Sequence, residues 1–534
     1  MCRLDSTQVA RSIGSSFVCM PKCVPPRTTS ACYRFSRICA TIYLMGFNRR
    51  LKIWIQSHTF ASLFLCFFFL TAVWSSLTPL FSGPDEPASY IRGAAIVRGQ
   101  ITGSDIEPSE TTAYWSTYVD IPQQFGVAQL VPWCFVGKPD TPACSLPLET
   151  LTPVEDPRTD MGRYPPTGYF FSGIGSLIGA SDKSVYLSRF FNALISSAFF
   201  ALAIKTWRDI NRSPIIVCAA ISPGVIFASS VISASAIEIS ASICMWASCY
   251  AWLRQRSKLN LISVIASGTM LALARPTGPI YLLITVFLTL LATPMRESFK
   301  SFAKRSRLVM LILGTSTLLA AFWQLFVYSH NLDKNYFDQE TPNLFEIIQQ
   351  SLNDLTRKIA ESIGNFGWLD TPAPTIVVWC FVFFCAIAVF RTWQTMSFRH
   401  RTAVSVLPLI TISMMVYLNW STQKYGGNFG VQGRHLTPLI AGIPILGGLN
   451  WSPSENTKKL FLAAWSGCIF ASGLVALRRY SVGVIQFNFF EMFSKPVWTP
   501  PLGIAGSLFA LALALSALSI TIFLISTNEV KQEG

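Results

Sequence analysis

The sequence predicts an all-α integral membrane protein: a polytopic bundle of about twelve transmembrane helices with a large extracytoplasmic first loop. Three observations predict it. Of 534 residues, 51% are hydrophobic and only 13% are charged, about half the charge fraction of a soluble chain. The apolar residues recur in runs of about 16 to 25, the length that crosses a bilayer as a helix. Positive charge is sorted into alternate connections, the pattern that fixes orientation in a membrane. The net charge of +15 therefore belongs to cytoplasmic loops rather than to a groove for phosphates, and no nucleic-acid partner is expected.

Residues 1–58 hold nine Lys/Arg against one acid and have no sustained periodicity. They read as a basic cytoplasmic tail, partly disordered, within which Met45 offers an alternative start. Cys19 and Cys23 have the spacing of a metal half-site, but no histidine is near, so chance spacing is the simpler reading. The first span, about 59–81, is too long for a signal-peptide core and stays as an anchor. Residues 82–165 carry eleven acids and five bases, which suits an external face. Cys134 and Cys144 share that loop and are able to bridge if it faces an oxidising compartment. The apolar stretch 166–180 is short, and a full span there would put Lys205, Arg208 and Arg212 outside. A half-buried juxtamembrane helix is expected instead, which extends the extracytoplasmic segment to 82–184. Spans then follow at about 185–204, 214–231, 236–253, 259–274, 276–293, 308–328, 374–390, 404–420, 437–450, 459–477 and 502–526. Together 59–526 form the transmembrane domain, and 527–534 a second cytoplasmic tail. Loops with Arg254, Arg256 and Lys258, then Arg296 to Arg307, then Arg391, Arg399 and Arg401 fall inside. The loop 329–373, with seven acids and three bases, falls outside. Both termini are expected in the cytoplasm, and the whole chain in the plasma (inner) membrane among its lipids.

The stretch around which the rest is organised is Ser82-Gly83-Pro84-Asp85-Glu86-Pro87. Gly83 and Pro84 end the first span, Asp85 suits an N-cap and Pro87 the first helical turn. Tyr90, Ala94 and Val97 share a face, so the spacing predicts a short amphipathic helix lying in the membrane interface, with Arg92 turned away from that face. Its first turn would hold two adjacent carboxylates at the lipid surface. Ionisable groups at span ends are costly and ask for a reason, and this topology collects them on the outer side. Arg189, Glu238 and Arg275 lie at outer span ends. Asp370 precedes the eighth span, Arg434 and His435 the tenth, and Arg163-Tyr164-Pro165-Pro166 opens the juxtamembrane helix. Each has a plain structural reading. The arginines snorkel to headgroups, Asp370 caps a turn, Glu238 partners an arginine, Arg163 is a solvated loop charge, His435 is structural and Glu86 favours a helix N-terminus. Their collection on one side is what a plain reading leaves unexplained. Carboxylates accept a proton from a hydroxyl or hold a divalent cation, while arginines fork onto phosphate. The glycines of Gly426-Gly427-Asn428-Phe429-Gly430 suit a flexible loop beside Arg434. No Walker loop, GxGxxG, zinc motif or nucleophile elbow supports cytoplasmic nucleotide chemistry.

Gly83-Pro84-Asp85-Glu86-Pro87, Tyr164-Pro165-Pro166, Arg189, Gly367-Trp368-Leu369-Asp370-Thr371 and Gln432-Gly433-Arg434, in that order and on one side, resemble a bacterial family of predicted membrane proteins, domain of unknown function 2142, over about residues 60–480. That family in turn looks like the GT-C glycosyltransferases, multi-pass enzymes that use polyprenyl-phosphate sugars and carry an acidic motif in the first outer loop. The resemblance implies that Asp85, with Glu86 beside it, matches the acidic motif, and that Arg189 heads the following span. Ser89 stands near the place where relatives carry a histidine. The expectation that follows is a glycosyltransferase acting on the extracytoplasmic face in cell-envelope glycan assembly. Asp85 and Glu86 would be catalytic and able to hold Mg or Mn. Arg163, Tyr164, Arg189, Glu238, Arg275, Asp370, Arg434 and His435 would bind substrate. The donor would be a polyprenyl-phosphate sugar and the acceptor a glycan, lipid or protein. Two other readings are a transporter or flippase of lipid-linked sugars and a non-catalytic partner in an envelope-polysaccharide complex.

Overall fold

A computed structural model describes residues 50–109, 112–144, 146–294, 299–332, 343–426, 430–484 and 490–526. The expectations for the two tails, for Met45, for the Cys19/Cys23 pair, for Arg296 and for residues 427–429 of the glycine-rich loop lie outside the described residues. Residues 50–54, the described end of a unit spanning Met1–Trp54, are helical; everything from Ile55 onward belongs to a second unit.

That second unit is mostly helical, and it is a multi-pass membrane protein by length and composition. Among the described residues, eight helices are long and apolar enough to cross a membrane. They are Thr59–Leu77, Asp182–Asp209, Ala234–Arg254, Arg307–Tyr328, Thr375–Thr395, Phe398–Tyr425, Glu455–Val482 and Gly503–Ser526. The other four expected spans are of a different kind. Two are shorter apolar helices, Lys258–Ala274 and Gly278–Ala292. Two are broken. The stretch 214–231 splits into Ile215–Ala220 and Pro223–Ser230, because Pro223 has no N–H to continue the ladder. There the Ser222 hydroxyl caps the second piece at the Val225 amide, 3.3 Å away, and donates to the Ser362 carbonyl. The stretch 437–450 becomes Gly433–Ile440 and Gly442–Gly447. A side chain at Gly442 would run into the Trp246 ring at 2.6 Å, so only a glycine lets the backbone pass.

Ala234–Arg254 is the central helix, with 94% of its apolar window enclosed by protein. It has little amphipathic character to lose, because serines punctuate it and its buried polar groups, Glu238 included, find partners inside. Ser242 and the Trp246 indole both donate to the Pro438 carbonyl, at 2.8 and 2.9 Å. This seats the Gly433–Ile440 helix, and thus Arg434, on the centre of the bundle.

The helix after the first span, Glu86–Val97, differs from its expected placement. Every residue from Glu86 to Ile96 is buried, so it does not lie in an interface with one face toward lipid. The loop 98–165 folds over it, and the Thr167–Ile174 helix packs so closely that a Cβ at Gly93 would sit 3.0 Å from the Gly173 backbone. Arg92, expected to face away, is fully buried and donates to the carbonyls of Ile101 and Tyr164. The covering loop carries three short antiparallel strands, Ser104–Asp105, Thr117–Tyr118 and Arg158–Thr159, with Thr117 opposite both Asp105 and Thr159. A disulfide joins Cys134 to Cys144 within it. Residues 166–180 form the short Thr167–Ile174 helix and one further turn rather than a span. The loop 329–373 holds an element that the sequence reading passed over: the amphipathic helix Leu344–Ile363. Leu344, Phe345 and Leu352 are exposed on it, while Ser351 receives a 2.8 Å hydrogen bond from Asn419 of the Phe398–Ser421 helix.

Candidate functional site

Asp85 and Glu86 part company at the first helical turn. Asp85 takes the N-cap position with a left-handed backbone, φ 59°, and its side chain makes no capping hydrogen bond. A non-glycine residue in that region carries strain that a functional position tolerates. Its carboxylate is 40% exposed and meets the Arg434 Nη2 in an ion pair. Arg434 Nη1 also donates to the Pro84 carbonyl at 3.2 Å, so one guanidinium grips both sides of the turn.

Glu86 points the other way and is sealed. Arg189 forks onto it, Nε to Oε1 at 2.7 Å and Nη2 to Oε2 at 2.8 Å. The amides of Gly83 and Ile232 donate to the same two oxygens, each at 3.0 Å. Arg189 also donates to the carbonyls of Ser75, Thr78 and Pro79 at the end of the first span. Both side chains have no exposure. The pair closes the span-to-helix turn and leaves neither group facing a cavity.

Asp85 and Arg434 face a cavity of about 320 Å³, a size at the lower end for small-molecule sites. Of the ten residues singled out in the sequence, Asp85, Tyr164, Arg275, Arg434 and His435 line it. Glu238 lies behind Arg275, fully buried. It accepts from Thr277 at 2.7 Å and pairs with Arg275 Nη1 at 3.5 Å. Arg275 also donates to Ser235 at 3.0 Å and sits 3.4 Å from His435 Nε2. The His435 carbonyl takes the Tyr281 hydroxyl at 2.6 Å. Glu238 therefore positions an arginine that reaches the cavity.

Four expected residues are used elsewhere or sit apart. Glu86 and Arg189 form the sealed pair. Asp370 accepts from Arg479 at 2.8 Å, and Arg479 donates in turn to the carbonyls of Phe135, Lys138 and Thr141, which staples the disulfide loop to the Glu455–Val482 helix. Arg163 pairs with Asp105 beside the cavity rather than in it, and its carbonyl takes the Trp323 indole at 2.9 Å.

The cavity also contains groups the sequence reading passed over. Asp160 opens onto it and accepts from Ser116 at 3.1 Å. Surrounding protein holds its carboxyl above the ordinary aspartate range through desolvation, with Asp85 adding in the same direction. Tyr114, Trp115, Tyr328 and Tyr425 give the cavity an aromatic lining. Asp160 carried no motif. Only the pairing of Thr117 with Thr159 brings it next to Ser116. Two further cavities run along the Gly433–Ile440 helix. A small one touches Arg434 and Thr437. An apolar one of about 380 Å³ begins at Thr437 and Ser362 and continues past Leu436, Ile440 and Ile443.

Among the described residues no group of three or more His, Cys, Asp or Glu side chains is placed to hold a metal. Glu86 is unsuited to the ligand role expected of it, since both its oxygens are engaged. Asp85 and Asp160 are the carboxylates that line the cavity.

A bundle of membrane helices that carries a polar, arginine-lined cavity beside an apolar one is the class of protein that fold and site define. The chain belongs to the family described as predicted membrane protein DUF2142, whose profile matches residues 68–443. No curated protein matches it. Two solved structures are similar in fold, both of ArnT from Cupriavidus metallidurans. The one bound to undecaprenyl phosphate is 10% identical, with a TM-score of 0.43 over 88% of this chain and 76% of that one. The apo one is 12% identical, with a TM-score of 0.44 over 88% and 75%.

Proposed function

We propose that this protein is a membrane-embedded glycosyltransferase that takes a polyprenyl-phosphate-linked sugar as donor on the extracytoplasmic face, in cell-envelope glycan assembly. The observation that carries this reading is the continuity along the Gly433–Ile440 helix. Arginines and carboxylates share a cavity at its head, and an apolar cavity follows at its flank. An amphiphile with an anionic head and a long hydrocarbon tail suits that sequence of surroundings. Arg434 and Arg275 receive the phosphate. Arg434 is engaged through Nη1 with the Pro84 carbonyl and through Nη2 with Asp85, and Nη2 is the donor that the phosphate takes over. The prenyl chain occupies the apolar cavity.

The reaction is a single displacement. The acceptor hydroxyl gives its proton to the Asp85 carboxylate as its oxygen bonds to the anomeric carbon. The bond from that carbon to the phosphate oxygen breaks, and its electron pair leaves on the phosphate, where the arginines stabilise it. The anomeric configuration inverts. Phosphate competes with Asp85 for Arg434, so donor binding frees the carboxylate for the hydroxyl. Among the described residues Asp85 and Asp160 are the carboxylates that would hold Mg or Mn in this cavity together with the donor phosphate, and such an ion would help to stabilise the charge on the departing phosphate.

The test is transfer from a radiolabelled polyprenyl-phosphate sugar in proteoliposomes containing envelope extract. Asp85→Asn should lower transfer by about 10²- to 10⁴-fold, and undiminished transfer would remove the role given to Asp85. A second reading, a flippase of lipid-linked sugars, draws on the two broken spans, since interrupted helices are a transporter device. Movement of the labelled lipid across the bilayer with no covalent product would favour it.

A further inference from the structure

The cavity has one lining that phosphate chemistry does not use. Tyr114, Trp115 and Tyr164 come from the loop 98–165 and Tyr328 from the end of the Arg307–Tyr328 helix. Trp115 lies parallel to Tyr328, 5° between planes and 6.0 Å between centroids, with Tyr114 edge-on to it at 4.8 Å. Tyr164 meets Tyr328 edge-on at 5.2 Å. Such mutual packing holds the rings at fixed angles. The Trp115 ring is half-buried and borders open space. Beside it Ser116 and Asp160 supply a hydroxyl and a carboxylate already joined at 3.1 Å.

We propose that this aromatic lining is the acceptor subsite and that the acceptor is a neutral sugar ring, the end of a glycan, rather than a phospholipid or a peptide hydroxyl. A pyranose offers a face of C–H groups to a flat indole and a rim of hydroxyls to tyrosine, serine and carboxylate oxygens. The loop's share of the lining contains a carboxylate and no cation, which disfavours an anionic headgroup or an acidic sugar. It is too polar for an acyl chain, whose chemistry the apolar cavity already suits. The volume of about 320 Å³ has room for a ring or two beside a phosphate, not for a folded peptide.

This inference rests on the transfer reading, but its test requires neither donor nor turnover, so either can fail without the other. Saturation-transfer difference NMR is run on the full chain in nanodiscs. The neutral probes are maltose, cellobiose, lactose and methyl mannobioside; the charged ones are a glucuronate-containing disaccharide and glycerophosphoglycerol. Saturation should reach ring protons of at least one neutral disaccharide, fall about 5- to 10-fold in Trp115→Ala and persist in Trp115→Phe. If Trp115→Ala does not elute as a folded species, Tyr425→Ala takes its place with the same expected loss. No signal above empty nanodiscs, a signal from the charged probes alone, or a neutral-sugar signal that these alanine variants leave unchanged would each overturn the proposal.

Discussion

Glu86 meets four N–H donors from three separate parts of the chain, whereas its neighbour Asp85 keeps a partly exposed carboxylate with one arginine. That contrast separates structural from chemical roles by energy. Removing one partner of a fully buried, hydrogen-bonded ion pair strands the other charge and costs about 3–5 kcal/mol. Glu86→Gln or Arg189→Met should therefore lower the thermal midpoint in detergent sharply, while Asp85→Asn should leave it nearly unchanged and remove transfer. A Glu86→Gln protein that melts normally yet fails to transfer would reverse the assignment. The site was partly legible at this scale. Asp85, Arg275 and Arg434 are charges at span ends, where burial in lipid would be prohibitive, so their positions alone raised the question of purpose. Sequence gave no means to tell that Glu86 and Asp85 turn in opposite directions, because that depends on a left-handed backbone at a single residue. Asp160 sits in a polar loop where carboxylates are common, and only strand register marks it out.

At the scale of elements, the Leu344–Ile363 helix acts on the cavity through its last turns. Glu361 accepts from Lys358 at 2.9 Å and from the Gly433 amide at 3.0 Å, at the head of the helix that carries Arg434. Glu361→Gln should raise the KM for the donor several-fold with a smaller change in kcat, as expected when an arginine is misplaced rather than lost; equal loss in both would argue for a direct role. The loop strands make a second link. Asp105 is held below the usual aspartate value by a hydrogen bond from Asn331, with the positive charge of Arg163 and His330 adding to it. A carboxyl depressed in the folded protein contributes stability at neutral pH that is lost as pH falls through its folded value. Hydrogen-exchange protection factors, corrected for the intrinsic rate at each pH, should fall in acid for residues 104–109 and 112–118, and Asp105→Asn should flatten that dependence. Long apolar elements were readable because lipid demands length and hydrophobicity. Of the two broken spans, the first carried a legible stop in Pro223, which the apolar length of 214–231 outweighed; the second, at Ala441-Gly442, lies where the backbone passes close to Trp246, a contact that composition does not register. The Leu344–Ile363 helix was legible in the spacing of Leu344, Ile348, Leu352, Leu355, Ile359 and Ile363, but a search for spans passes over an amphipathic helix that is too polar to cross a bilayer.

For the whole molecule, the disulfide gives a handle on sidedness. Cys134 and Cys144 are bonded, and such bonds persist where the surroundings are oxidising. In intact cells a membrane-impermeant maleimide should label these two cysteines only after external reduction. Labelling from the cytoplasmic side instead would invert the orientation assumed for transfer. Closing a loop of 10 residues contributes about 2–3 kcal/mol, so Cys134→Ser/Cys144→Ser should lower the melting temperature without abolishing transfer.

Arg479 ties the carbonyls of Phe135, Lys138 and Thr141 to Asp370, and this long-range staple has a consequence for biogenesis. A ribosome delivers the covering loop early and its clasp late. Asp85 and Arg434 are separated by 349 positions, so at ~5–20 residues per second roughly 20–70 seconds pass between their syntheses. Throughout that interval the nascent polypeptide holds half a cavity, and a chain released before Arg479 has the cavity's arginines but no clasp on the covering loop.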